Sequence, residues 1–305
     1  MKLESLRAPD GTRLAVGVQR ADGDGPVVFL IHGMLSHMSW YGELAAGLAR
    51  EGIAVWVPDR RGSGRSDGPP GHVGSWRTLV ADAVLAAREA ARRHPGRALH
   101  ALGLSFGAAV ALAASVESPD LFRSLVLLAP GLAPRFRVRK RRVLRVLADA
   151  LLRPRRPYDP PFSLDTLTER PAWRELMHSD PLHTRKLSAR FLLETLRLQR
   201  FVRRRAGGLR VPVYALLAGA DAVVDNRVVV ETLSRSRAPV RIERFEGAGH
   251  MLTASLPREE LLRRFRDWLR SPPDAAPQLV EQRVSPFAGD GRPLPDPPDL
   301  EPPGA

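Results

Sequence analysis

Four short apolar runs, each ending in a turn, limit what this chain can fold into. They are "PVVFLIHG" (26–33), "GIAVWVPD" (52–59), "ALHALGLS" (98–105) and "RSLVLLAP" (123–130). A strand with one wet face alternates apolar and polar residues, whereas an uninterrupted apolar run suits a strand covered on both faces. Between the runs, "SWYGELAAGLARE" and "SWRTLVADAVLAAREAARRH" (75–94) place apolar residues at helical spacing. Strand and helix in alternation predict an α/β fold, a mostly parallel sheet with helices on both faces. Ahead of it, "RLAVGVQRA" follows the turn "PDG" and reads as the second arm of an N-terminal hairpin.

The alternation stops after the sixth strand. Residues 131–207 are rich in arginine and leucine, helical in pattern and without a convincing strand. It resumes with "VPVYALLAGAD" (211–221), a helix near 225–237, "PVRIERFEGAGH" (239–250) and a last helix near 257–270. The expected organisation is a core in two parts, 1–130 and 208–270, with a helical cap inserted at 131–207. Residues 271–305 are dense in proline and acid and lack periodicity, so an extended or disordered tail is expected there. Within the tail, "QLVEQRV" is the piece suited to local packing.

Composition narrows the chemistry. The 305 residues include no cysteine, which removes disulfides, thiolate metal sites and a thiol nucleophile. That fits a reducing compartment, and a cytoplasmic protein is expected. "MKLESLRAPDGTRLAV" has no apolar core of a signal peptide, and no uncharged run approaches the ~20 residues of a membrane span. The net charge of +14 has two main readings: arginine on solvated faces, or attraction to an anionic membrane or acidic substrate. Nucleic acid is not an expected partner, because no zinc-finger or RNP-type signature accompanies the charge.

In "HALGLSFGAAVALAAS" (100–115) a serine stands between two glycines where an apolar run meets a small-residue helix. G-x-S-x-G alone is a weak signal, and a tight strand-to-helix junction is its plain structural meaning. Strand before and helix after make it a candidate nucleophile elbow, with Ser105 lifted off its own backbone at the positive end of the helix.

A serine hydroxyl needs a base. His250 follows the last apparent strand, in the glycine-loosened "EGAGHML". His37, His72, His94, His100, His178 and His183 lie in helices, strands or the insertion and read as structural. The base needs an acid to fix its tautomer. Asp221 directly follows the strand "VYALLAG", at the carboxyl end that faces a sheet's crevice. Asp225, one helical turn on, is its rival. "LIHGML" (30–35) should present the Met34 backbone N–H to the same crevice, and the Phe106 N–H follows the nucleophile; the two form a candidate oxyanion hole. His32 reads as holding that loop, not as a base.

"HGM", "VPDRRGSGRSDGPPGHV", "GLSFG", "GAD" and "GAGH" stand in the order and spacing of the α/β-hydrolase superfamily. More narrowly, the chain resembles its monoacylglycerol lipase and lysophospholipase-like (serine aminopeptidase-type) branch over about residues 5–270. "DPLHTRKLSARFLLETL" (180–196) resembles that branch's cap. The resemblance implies a Ser105–Asp221–His250 triad, an oxyanion hole of Met34 and Phe106, and no metal or organic cofactor. The chain departs from the branch in the prolines of "GPPGHV", in its basic early cap and in its tail.

The implied activity is serine-dependent carboxylic ester hydrolysis on a small acyl ester, with a single-chain lipid such as a monoacylglycerol or lysophospholipid as the leading substrate. Leu144, Leu147, Leu151, Phe191 and Leu192 suggest an apolar acyl channel, although for most of them the cap's own core is the preferred reading. Two alternatives stay open. An aminopeptidase-type amide hydrolase would need an acid for the substrate's free amine, such as Glu169, Glu175 or Glu194. A non-catalytic ligand-binding member of the fold would need no triad. The segment "RFRVRKRRVLRVLADALLRPRR" (135–156) is expected to form an amphipathic helix with Val143, Leu144, Leu147, Leu151 and Leu152 on one face. Arg142, Arg145, Asp149 and Arg153 fall on the other, a pattern suited to an anionic membrane surface or to sealing the crevice.

Overall fold

The computed structural model describes residues 1–274 and 278–285. The chain begins with a hairpin, β1 (Lys2–Arg7) and β2 (Arg13–Gln19). There follow β3 (Val27–Ile31), α1 (Gly42–Arg50), β4 (Ala54–Pro58), α2 (Trp76–Arg93), β5 (Leu99–Leu104), α3 (Phe106–Glu117) and β6 (Leu125–Leu128). The inserted segment carries α4 (Lys140–Leu152), β7 (Pro157–Tyr158), α5 (Pro171–Ser179), β8 (Leu187–Ser188) and α6 (Ala189–Arg205). The chain then completes the sheet with β9 (Val213–Ala218), α7 (Asn226–Leu233), β10 (Val240–Phe245), α8 (Leu252–Ser255), α9 (Arg258–Arg270) and β11 (Leu279–Val284).

Among the described residues, nine strands make one sheet in the order β1-β2-β4-β3-β5-β6-β9-β10-β11. β2 runs antiparallel to both its neighbours, and all pairs from β4 to β11 are parallel. Every residue of β3, β4, β5, β6 and β9 is buried, which is what their unbroken apolar runs require. β3 lies between β4 and β5, so the chain steps one way from β3 and returns to pair on its other side. Right-handed crossovers in opposite directions send α1 and α2 to opposite faces. α1 packs with α9, and α2 with α3. Such a reversal leaves a crevice at the carboxyl ends of the strands beside it. Here those ends belong to β3 and β5, and they deliver Met34 and Ser105.

The inserted segment rests on the core through α6, which packs against α2, α3 and α4. The Ser188 hydroxyl caps α6 by accepting from the Phe191 N–H at 3.1 Å, and Ser75 caps α2 by accepting from Arg77 at 3.2 Å. Each such cap contributes about 1 kcal/mol. The segment is not purely helical as expected: β7 and β8 pair antiparallel over two residues each. A ladder that short leaves no periodicity to read.

In the tail, the piece picked out for local packing does pack, and it does so as a strand. β11 adds to the edge of β10 in parallel register, from Val240↔Leu279 to Phe245↔Val284. Its side chains are mostly exposed, so no apolar pattern announces it. What it supplies is backbone: it pairs the open edge of β10. Arg244 and Glu281 tie the pair at 2.7 Å, and Asp274 reaches Arg123 at 2.6 Å. The rest of the expected tail, 275–277 and 286–305, lies outside the described residues. Among the described residues, no helix is long and apolar enough to cross a membrane.

Candidate active site

Ser105 sits at the corner between β5 and α3 with φ 50° and ψ −113°. A positive φ is strained for a residue with a side chain, by roughly 1–3 kcal/mol. Only close packing on both sides holds such a corner. A β-carbon on Gly107 would lie 2.0 Å from the Ile31 carbonyl oxygen, and one on Gly103 would lie 2.6 Å from Ala108 Cα. The small residues of "GLSFGAA" therefore let α3 press against the ends of β3 and β5. The Ser105 N–H donates to Leu128 O at 2.8 Å, and Ser105 O accepts from the Gly131 N–H at 2.9 Å.

The Ser105 hydroxyl lies 2.9 Å from Nε2 of His250, and Nδ1 of His250 lies 2.8 Å from Oδ2 of Asp221. His250 and Asp221 are buried. The second oxygen of Asp221 accepts from the N–H groups of Val223 at 2.8 Å and Val224 at 2.9 Å. Its backbone carbonyl accepts from Arg135 at 2.7 Å. The rival Asp225 points elsewhere. It caps α7 by accepting from the Arg227 N–H at 3.0 Å, and its carboxylate pairs with the Arg227 guanidinium, which holds it below the usual carboxylate range.

Met34 and Phe106 border the same cavity as Ser105. Phe106 is the first residue of α3, where the N–H has no partner within the helix. Gly131 keeps that N–H open, since a β-carbon there would lie 3.1 Å from Phe106 N. His32 is fully buried, and burial pushes its imidazole well below its ordinary value. Its Nε2 accepts from the Arg60 N–H at 3.2 Å, so the proton of the neutral ring sits on Nδ1 and donates to Gly33 O at 2.9 Å. His32 thus holds the loop that carries Met34.

The other histidines have separate tasks. His37 and the Trp40 indole both bond Asp180 at 2.6 Å, joining the loop after β3 to the insertion. His100 meets Ser124 at 2.7 Å, His183 meets Met177 O at 2.6 Å, and His72 meets Ser188 at 2.9 Å. His94 accepts from Trp56 at 3.2 Å, and His178 is exposed at the end of α5.

Two cavities meet at Ser105. The larger, about 360 Å³, runs between α4 and α6 and is lined by Val143, Val146, Leu147, Leu192 and Leu196. That is the size of a small-molecule site. The smaller, about 70 Å³, also touches His250 and holds the Ser36–Tyr41 hydroxyl pair at 3.0 Å. Of the five residues suggested for an apolar channel, Leu147 and Leu192 line the larger cavity. Phe191 is buried against Phe106, while Leu144 and Leu151 are 67% and 71% exposed. The single apolar face expected of α4 is therefore split in two, one part towards the cavity and one towards solvent. Asp149, expected on the outer face, is buried and bonded by the Tyr158 hydroxyl.

No carboxylate side chain among the described residues lines either cavity. Glu194 is buried beneath α2, accepting from the Trp76 N–H at 3.1 Å and pairing with Arg197 at 2.7 Å. Glu169 accepts from the Ser255 hydroxyl at 3.1 Å, and Glu175 is exposed on α5. Gly131, Arg135 and Arg60 were not picked out as site residues from the sequence. Arg60 stands inside a motif that carries the resemblance, but its role, like those of Gly131 and Arg135, depends on a contact distant along the chain.

The family model described as "Serine aminopeptidase, S33" matches residues 25–255. The human protein named "Monoglyceride lipase" is 28% identical over 241 residues, covering 76% of this chain and 77% of its own length. The solved monoacylglycerol lipase of Paleococcus ferrophilus superposes with a TM-score of 0.74 at 21% identity, covering 89% of this chain and 99% of that one. A soluble variant of the Saccharomyces cerevisiae monoglyceride lipase, solved with a substrate analogue, gives 0.79 at 16% identity over 88% of this chain and 94% of that one. At these identities the two solved structures speak for the fold.

Proposed function

The chain belongs to the serine aminopeptidase S33 family of α/β-hydrolases, and we propose that it is a serine hydrolase of single-chain lipid esters, with Ser105, His250 and Asp221 as its catalytic triad. The observation that carries this reading is the relay of 2.9 Å and 2.8 Å contacts from Ser105 through His250 to Asp221. It stands at the edge of an apolar cavity of about 360 Å³. Likeness to monoglyceride lipases over about three quarters of both chains supports an ester as substrate.

His250 Nε2 takes the Ser105 proton as the oxygen attacks the ester carbonyl. The carbonyl oxygen becomes an oxyanion and accepts from the Met34 and Phe106 N–H groups, each contributing about 3 kcal/mol to the transition state. Asp221 keeps the His250 proton on Nδ1 and stabilises the imidazolium. The imidazolium gives its Nε2 proton to the departing alcohol oxygen, leaving an acyl-serine. Water then loses a proton to His250, attacks the acyl carbon and releases the carboxylic acid, and Ser105 regains its proton. The acyl chain lies in the larger cavity, where each buried methylene contributes about 0.8 kcal/mol.

The aminopeptidase reading is disfavoured, because no carboxylate side chain among the described residues lines either cavity to receive a free amine. A panel of p-nitrophenyl esters and monoacylglycerols beside aminoacyl-anilides tests the choice. Turnover of esters with none of anilides is expected, and the reverse would move the chain to the peptidase reading.

Reversible contact with an anionic membrane through α4 is part of the proposal. Leu144, Leu151 and Leu152 are 67%, 71% and 80% exposed, beside exposed Lys140, Arg141, Arg145 and Arg153. Apolar groups edged by cations suit a lipid headgroup boundary. The opposite side of the same helix lines the cavity, so docking would set its mouth where lipid esters partition.

A further inference from the structure

Two adjacent arginines after β4 part company. Arg61 turns outward and pairs with Asp82 at 2.5 Å and Asp10 at 2.8 Å. Arg60 turns inward and is 8% exposed. It forms no ion pair with a carboxylate among the described residues; its neighbour Asp59 instead accepts from the Met38 and Arg65 N–H groups, both at 2.7 Å. One Nη2 donates to Gly33 O at 2.7 Å and Met34 O at 2.8 Å. The guanidinium also lies 5.2 Å from the ring centre of Phe106 and 6.0 Å from that of Phe191.

Burying a cation without a carboxylate is costly, and removing its contacts would strand it. The bonds it makes here fall on one loop. Gly33 C=O and Met34 N–H belong to the same planar peptide and point in opposite directions. A donor pulling on that carbonyl therefore fixes where the Met34 N–H points. Gly33 O receives two such donors, Arg60 Nη2 and His32 Nδ1. One of them carries a full charge, which strengthens the bond and draws electron density away from the N–H.

Resting on the ester-hydrolase reading above, we infer that Arg60 is a positioning residue for the oxyanion hole: it clamps the Gly33–Met34 peptide from behind and brings a positive charge to the side of the site where negative charge develops. Burial lowers its guanidinium to about 10, which leaves it charged at neutral pH. The effect belongs to the transition state, because an ester carbonyl carries little charge before attack. Arg60 should therefore act on kcat and hardly on KM.

The test compares wild type, Arg60→Met and Arg60→Lys on p-nitrophenyl butyrate, with active sites counted by fluorophosphonate labelling carried to completion. A boronic acid that forms a tetrahedral anion on serine serves as the transition-state probe. In Arg60→Met, kcat per labelled site should fall about 10- to 100-fold, below the 10²- to 10³-fold typical of deleting a donor outright. KM should stay within about threefold, boronate affinity should fall in step with kcat/KM, and Arg60→Lys should recover part of the loss. If kcat per labelled site stays within about twofold of wild type, the inference is overturned and Arg60 is only a packing residue. Should Arg60→Met not fold, Arg60→Lys decides: a kcat loss of about threefold or more at unchanged KM supports the inference, and a loss within twofold overturns it. A wild type that labels but turns over no ester would sink the ester reading itself, before any variant is compared.

Discussion

Asp221 gives His250 one carboxylate oxygen and keeps the other for the backbone. Oδ2 lies 2.8 Å from His250 Nδ1, while Oδ1 accepts from Val223 and Val224. The carboxylate is thereby fixed in rotation before it meets the imidazole. A side chain held this way can orient a base without being reset in each turnover.

Asp221→Asn should lower kcat per labelled site by about 10³- to 10⁴-fold, because an amide in that place favours the wrong histidine tautomer. Asp225→Asn should change kcat less than about threefold, and stability little, since asparagine caps a helix as well as aspartate. Steady-state kinetics with parallel thermal melts check both. Equal losses, or the reverse ranking in folded protein, would reassign the acid.

The larger cavity should set acyl preference. Along a series of saturated p-nitrophenyl esters, kcat/KM should rise about three- to fourfold per methylene, the equivalent of about 0.8 kcal/mol, until the cavity is full. Leu147→Trp should move the optimum to shorter chains with little loss on acetate. An unchanged profile in that variant would place the acyl chain elsewhere.

Co-sedimentation with vesicles tests the exposed side of α4. Binding to anionic vesicles at low salt should exceed binding to neutral ones and weaken as salt rises. Replacing Lys140, Arg141 and Arg145 with glutamine, or Leu144, Leu151 and Leu152 with serine, should weaken it while sparing turnover of a short soluble ester. Binding that ignores lipid charge and both sets of substitutions would leave α4 a solvated helix.

Stability should fall on the acid side. His100 is buried with Nδ1 on Ser124, and burial lowers it from 6.5 to about 4. Burial lowers His32 as well. The unfolded chain takes up protons below about pH 6.5 that the folded chain refuses. The contribution is therefore whole above that pH and is lost as pH falls towards 4, by about 3 kcal/mol for His100 alone. Urea unfolding at pH 7 and pH 5 measures it, and His100→Asn should flatten the slope. Equal stability at the two pH values would contradict these burials.

Much of this was legible in the chain. The parallel core follows from unbroken apolar runs, because a strand covered on both faces has no polar side to show. Ser105 and His250 stood out because glycines mark the sharp turn at one and the loose loop at the other. Asp221 and Asp225 could be ranked only by position at the strand end, and the structure separates them by partner: His250 for one, the α7 terminus and Arg227 for the other. β11 was legible as a piece suited to local packing but not as a strand, because an edge strand is held by backbone bonds, which leave little trace in side chains. α4 was read as having one apolar face, but its leucines divide between cavity and solvent, and spacing alone does not say which neighbour a face meets.

Every step proposed for this site starts from Ser105 as the nucleophile of an ester hydrolase. The most direct measurement is fluorophosphonate labelling of wild type and Ser105→Ala, with the labelled peptide located by mass spectrometry and p-nitrophenyl ester turnover followed on the same samples. One label per chain on Ser105 is expected in wild type, none in the folded variant, and a loss of turnover of at least about a thousandfold. A folded Ser105→Ala protein that still labels, or still turns over ester at more than a few per cent of the wild-type rate, would contradict that role for Ser105.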